Sequence, residues 1–224
     1  MGIEIIGLKK KYDSFGKEVI ALDGITLRFG DGELVAIVGE SGSGKTTLLN
    51  NLCGMDIPDE GAVIIDGTEL SKLSSNELCK MRRRSVGVVY QFYNLVPELN
   101  IRDNITLPVE LDGKEVNEDE LSEILNTVGL LGRERDFPSA LSGGQQQRVA
   151  IARALFQKPS LILADEPTGN LDEKNAEEIL SLLYRLNKEK RITVIIVTHS
   201  RAVANKAKRL ITLKNGRIVS DEVR

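Results

Sequence analysis

The sequence predicts an α/β fold, a mainly parallel sheet wound by crossover helices, on the strength of three observations. From residue 145 onward helical and strand patterns alternate: helix 145–157, strand 161–165, helix 173–188, strand 193–199, then a helix from about Arg201. Such alternation implies parallel strands joined by helices. The first 70 residues instead alternate short β-type runs with turn dipeptides, which implies an antiparallel piece near the N-terminus. Between 92 and 140 apolar residues fall at helical spacing and no strong strand pattern occurs.

In chain order, "ITLRF" and "ELVAIV" flank Gly30-Asp31-Gly32, and "AVIID" meets "TEL" across Asp66-Gly67; both pairs read as hairpins. A helix from Lys45 to about Cys53 ends near Gly54. "SSNELCKMRRR" reads as a helix capped by Ser74 or Ser75, and "SVGVVYQ" (85–91) as a buried strand. Leu121, Ile124, Leu125 and Val128 share one helical stripe, and a last hairpin turns at Asn215-Gly216. The expected organisation is a single domain, 1–224. Its core is 1–91 with 141–224, and 92–140 is an inserted α-helical subdomain.

Composition narrows the function classes. With 224 residues, 41% of them hydrophobic, the chain can bury a core, and 28% charged residues suit a soluble surface. A net charge of −3 argues against non-specific nucleic-acid binding, and "KMRRR" reads as a solvated helix face. Cys53 and Cys79 fit no metal spacing and read as unpaired thiols in a reducing cytoplasm. The N-terminus lacks an apolar signal region, and Gly2 does not open a full myristoylation motif. Runs such as "VIIV" (194–197) are far too short to span a bilayer, so any membrane role is expected through a partner.

The chemistry concentrates first in "GESGSGKTT" (39–47), the pattern Gly39-x-x-x-x-Gly44-Lys45-Thr46. Glycines at a strand-to-helix junction let successive N–H groups point at an anion, and the helix start adds its positive end. The expected cradle comprises Gly39, Ser41, Gly42, Ser43, Gly44, Lys45, Thr46 and Thr47. Lys45 supplies charge to the β- and γ-phosphates, and the Thr46 hydroxyl suits Mg²⁺. A P-loop NTPase core follows from this strand–loop–helix context. "LILADEP" places Asp165 and Glu166 at the carboxyl end of an apolar strand, where the first carboxylate can hold Mg²⁺ and the second can orient or deprotonate a water. In "LSGGQQQR" (141–148), Ser142 is placed as a helix cap, while Gly143 and Gly144 clear the first turn. This makes a second anion-binding helix N-terminus.

Together these residues resemble the ATP-binding subunit of ABC transporters over nearly the whole chain. Leu141 to Gln145 resembles the signature sequence, and "GNLD" (169–172) the D-loop, ending at Asp172. Gln91 looks like the Q-loop glutamine, His199 like the switch histidine, and Tyr12 like the aromatic that stacks on adenine. "YQFYNLVPELNIRDNITLP" (90–108) and "ADEPTGNLD" are most similar to the group serving lipoprotein release, macrolide export and antimicrobial-peptide efflux or sensing. A cell-division member shares that pattern, and Tyr90 stands where phenylalanine or glutamine is frequent.

The resemblance implies a head-to-tail homodimer. ATP lies between the phosphate loop of one chain and Ser142, Gly143, Gly144 and Gln145 of the other. It implies Mg²⁺ held by Thr46, Gln91 and Asp165, with Glu166, His199 and Gln91 as catalytic residues. The work is delivered to a separate integral membrane permease on the cytoplasmic face of the membrane, for export of a peptide, lipoprotein or drug-like molecule. Phe92–Pro97 is a candidate dock. A member that transmits force or signal to an envelope partner without transport is the alternative. A soluble ATPase acting on ribosomes or DNA is a third reading, disfavoured because neither a second fused ATPase unit nor long coiled coils occur.

Overall fold

The computed structural model describes residues 2–14 and 16–224, with backbone only at 201, 202 and 205. Two long strands, β1 (Ile3–Ser14) and β2 (Lys17–Phe29), pair antiparallel with Tyr12 opposite Val19. β3 (Leu34–Val38) leads through the glycine-rich loop into α1 (Lys45–Leu52). β4 (Glu60–Ile65) and β5 (Thr68–Glu69) form the expected hairpin, with Asp66 and Gly67 both at positive φ as a tight primed turn requires.

α2 (Ser75–Ser85) starts at the Ser74 cap, which accepts from the Glu77 N–H while the Glu77 carboxylate accepts from Ser74, a complete capping box. β6 (Val86–Tyr90) follows. Among the described residues the stretch 92–140 carries no strand; it carries α3 (Ile101–Glu110) and α4 (Glu118–Val128). Then come α5 (Gly143–Phe156), β7 (Leu161–Asp165), α6 (Glu173–Lys190), β8 (Thr193–Thr198) and α7 (Arg201–Lys206). β9 (Arg209–Lys214) and β10 (Arg217–Val223) close the chain.

The strands form two sheets. One is antiparallel, in the order β2-β1-β4-β5; the other runs β10-β9-β3-β8-β7-β6 and is parallel except for its edge hairpin β9–β10. Here one expectation is corrected. The residues flanking Gly30-Asp31-Gly32 do not make a hairpin: β2 pairs with β1, whereas β3 lies between β8 and β9 in the other sheet. The reason lies in burial. β3 is apolar on both faces and belongs at the centre of a covered parallel sheet, while β2 alternates and suits a sheet with one wet face.

Alternation along the parallel strands divides the core. Ile162, Ala164, Val194 and Ile196 face a cluster shared with α5 and α6, which also takes in Ile101 and Ile105 of α3 and Leu121, Leu125 and Val128 of α4. Leu161, Leu163, Ile195 and Val197 face the opposite side, against α1 and the antiparallel sheet. The predicted stripe on α4 holds, with Ile124 packed at its margin. The carboxyl ends of β3, β7 and β8 thereby converge beside the N-terminus of α1, where ligands of open α/β sheets gather.

Candidate active site

At the end of β3 the chain must turn sharply into α1, and Gly44 does this at φ 103°, in the left-handed region. Its lack of a side chain is also a packing requirement. A Cβ there would strike the Ala21 carbonyl and come within 2.9 Å of a Leu22 methyl; a Cβ on Gly39 would strike the Leu213 carbonyl and lie 2.6 Å from Ser43 Oγ. Part of the glycine content thus serves β2 and β9 pressing on the loop from behind. Lys45 Nζ donates to the carbonyls of Gly39 and Glu40, each at 2.9 Å, so the loop curls round its own ammonium.

The loop opens on a cavity of about 440 Å³. The structure brings Ser41, Gly42, Gly44, Lys45, Thr46, Thr47, Gln91, Asp165, Glu166 and His199 together on its wall. Gly39 and Ser43 are not on this wall, and Ser43 is buried. Thr46 Oγ1 donates to Asp165 Oδ2 at 3.1 Å. Burial pushes the Asp165 carboxyl above its ordinary range, opposed by the Thr46 hydroxyl and Lys45 and reinforced by Glu166.

Glu166, at φ 46°, turns the chain out of β7 in a conformation that costs a non-glycine residue energy, as functional residues often do. Its N–H donates to the Val197 carbonyl. Its carboxylate accepts from Thr198 Oγ1 and from the His199 N–H, both at 3.0 Å, and lies 2.8 Å from His199 Nδ1. The carboxylate is 16% exposed and the imidazole 73%, so the pair joins a fixed group to a free one.

Gln91 is held from the side. Its Nε2 donates to Asn170 Oδ1, and Asn170 Nδ2 donates back to the Gln91 carbonyl, both at 3.1 Å. Beyond it Tyr93 and Asn94 sit at positive φ, and Arg153 donates to both of their carbonyls, at 2.9 and 2.6 Å. Burial lowers the pKa of this guanidinium, and among the described residues no carboxylate forms an ion pair with it. Arg153 belongs to none of the motifs; its one signal in the sequence is a cation inside the otherwise apolar "VAIARALF". Arg153→Ala is expected to cost about 1–3 kcal/mol in urea unfolding, the worth of charge-assisted hydrogen bonds to two carbonyls, and to reduce hydrolysis by freeing the segment behind Gln91.

Three expected features stand apart from the cavity. The Ser142–Gln145 turn lies elsewhere on the chain, where Ser142 caps α5 in a capping box with Gln145. α5 accordingly begins at Gly143, two residues before the expected start. Tyr12 borders a separate depression with Lys11, Asp13, Glu18 and Asp59, its hydroxyl donating to Asp56. The cavity wall nearest the β1–β2 pair is Val19, Ile20 and Ala21 instead, and Val19 and Ile20 are half exposed, a signal the sequence reading did not use. In the segment 92–97, Phe92 is 73% exposed while Leu95 packs against the core.

This geometry has close relatives. The family model described as ABC transporter matches residues 22–169. The chain is 44% identical over 216 residues to the lipoprotein-releasing system ATP-binding protein LolD of Bordetella pertussis, covering 96% of this chain and 94% of that protein. It is also 44% identical over 220 residues to the macrolide export ATP-binding/permease protein MacB of Bdellovibrio bacteriovorus. That match covers 98% of this chain but 34% of the relative, so the chain spans about a third of its length. Among solved structures, a dimeric post-hydrolysis state of the ATP-binding cassette MJ0796 bound to ADP and Pi has a TM-score of 0.91 at 40% identity, covering 99% of this chain and 98% of that one. With its phosphate loop, its Asp165-Glu166 strand end and its Ser142 turn all falling within these matches, the chain belongs to the ABC transporter family.

Proposed function

We propose that this chain binds and hydrolyses ATP as the motor subunit of an exporter, working as a head-to-tail pair on a separate membrane permease. One observation carries the reading. A single cavity assembles a glycine-rich loop, a hard-oxygen pair and a carboxylate–imidazole pair, while the second helix N-terminus suited to an anion lies outside it.

A triphosphate entering the loop exchanges the Gly39 and Glu40 carbonyls for phosphate oxygens as partners of Lys45 Nζ. Thr46 Oγ1 and the Asp165 carboxylate are hard oxygen donors at one point of the wall, which suits Mg²⁺, with Gln91 on the same wall. The ion would neutralise phosphate charge there. Glu166, oriented by Thr198 and the His199 N–H, accepts a proton from the attacking water, and His199 links that carboxylate to the cavity mouth. Val19 and Ile20 offer the base an apolar seat on the cavity wall, and Tyr12, which reaches Thr47 of that wall from the neighbouring depression, supplies the aromatic at its edge. Ser142 to Gln145 meet the partner chain's γ-phosphate, so ATP closes the pair and hydrolysis releases it. The dimeric MJ0796 structures support a two-chain assembly.

No helix among the described residues is long and apolar enough to cross a membrane. The LolD relative, named as an ATP-binding protein and matched over 94% of its length, supports a permease on a different chain and a place on the cytoplasmic face of the membrane. The relatives named for lipoprotein release and macrolide export support a lipoprotein, peptide or drug-like cargo. Light scattering is expected to show Mg·ATP converting monomer to dimer; hydrolysis at full rate by a chain that stays monomeric would overturn the two-chain site. Phe92, exposed beside Gln91, is the expected contact with the permease. In Phe92→Ser, recovery of the chain with host membranes should fall while hydrolysis by the isolated chain persists. Unchanged membrane recovery would remove Phe92 from the dock.

A further inference from the structure

The turn that opens α5 is packed against its own chain. A Cβ built on Gly143 would lie 2.7 Å from the Tyr93 hydroxyl and 3.5 Å from Leu171 Cδ2. One built on Gly144 would lie 3.2 Å from Asn175 Cβ, 2.8 Å from its Cγ, and closer still to Oδ1. Gly144 is buried and does not adopt positive φ, so backbone freedom is not what it supplies. It supplies room for Asn175.

Asn175 is itself fixed. Its Nδ2 donates to Asp172 Oδ2 at 2.6 Å and its N–H to Asp172 Oδ1 at 2.9 Å. Two residues before Asp172, Asn170 exchanges its pair of hydrogen bonds with Gln91 on the cavity wall. Contacts from Gln91 to Asn170, the backbone from Asn170 to Asp172, and contacts from Asp172 through Asn175 to Gly144 therefore make one connected path. It joins the chain's own cavity to the turn it offers a partner.

We propose that Asn175 is a positioning residue that seats the Ser142–Gly144 turn and ties it to residues 169–172, so that the state of one cavity sets the turn presented to the other. This rests on the two-chain reading above. Asn175 in the same chain is then by itself a sufficient reason for glycine at 144.

The test is a double-mutant cycle of Gly144→Ala and Asn175→Ala in a Glu166→Gln background, read by nucleotide-free thermal melting and by dimer fraction with Mg·ATP. Gly144→Ala alone is expected to lower both the melting temperature and the dimer fraction. Asn175→Ala alone should melt near the parent and bind nucleotide as tightly, yet form severalfold less dimer. In the double variant only a 3.2 Å contact with the Asn175 Cβ remains, and both readouts should return to the level of Asn175→Ala alone. Additive melting effects, or Asn175→Ala dimerising like the parent, overturn the proposal. If the parent itself stays monomeric with Mg·ATP while melting still shows coupling, the two-chain reading has failed and the proposal falls with it.

Discussion

Glu166→Gln is expected to slow single-turnover hydrolysis by about 10²–10⁴-fold, the usual worth of a positioned general base, while leaving affinity for Mg·ATP unchanged. The substitution keeps the local hydrogen bonding. A glutamine Oε1 can still accept from the His199 N–H, and its Nε2 can donate to the Thr198 hydroxyl, which serves as donor or acceptor. Only the basic carboxylate is lost. Because the cradle formed by the loop stays whole, the variant should bind ATP, close, and accumulate as an ATP-bound dimer that the unmodified chain forms only transiently. Asp165→Asn should differ by weakening Mg²⁺-dependent binding itself, since Asp165 shares its position with Thr46 Oγ1. Rapid-quench hydrolysis and light scattering on the same samples measure both halves. Unmodified hydrolysis in Glu166→Gln would remove Glu166 from the chemistry.

Lys45→Ala is expected to raise the Kd for Mg·ATP by about 10²–10⁴-fold. The basis is two charge-assisted contacts to phosphate at about 1.5–3 kcal/mol each, with about 1.4 kcal/mol per tenfold. The fold should survive. Lys45 is buried at the first position of α1, but its present partners are two carbonyls of the loop, not core groups. Calorimetric titration with a melting curve on the same protein separates the two effects. Unchanged affinity would exclude Lys45 from the phosphate cradle.

Much of this was legible in the sequence, for identifiable reasons. β7, β8 and α6 announce themselves because a buried parallel strand must be apolar throughout and a packed helix must repeat its apolar face. Ser142 was readable as a cap, and the choice left open between Ser74 and Ser75 falls to Ser74, since each of the two observed caps is followed three residues later by the Glu or Gln that completes a box. The turn at Gly30-Asp31-Gly32 misled because turn chemistry does not say which sheet the next strand joins; burial on both faces decided that. Arg153, Asn170 and Asn175 were not readable, since their roles depend on partners 59, 79 and 31 positions away or on a glycine that only the fold brings near. Tyr12 reads as the base-stacking aromatic from resemblance alone; the sequence could not show that its cross-strand partner Val19, on the same face of the sheet, lines the cavity.

The central claim is that each ATP site is shared by two chains, and mixing two inactive variants tests it most directly. Lys45→Ala damages the loop and spares the Ser142 turn. The complementary lesion is Ser142→Asp, because aspartate caps a helix as well as serine while placing a negative charge toward a partner's triphosphate. A carboxylate at Gly144 would instead strike Asn175 in its own chain and confuse the outcome. Neither variant alone should hydrolyse ATP. In a mixed dimer one site carries both lesions and the other carries none, so hydrolysis should reappear on mixing. A mixture as inactive as its two components would contradict a shared site.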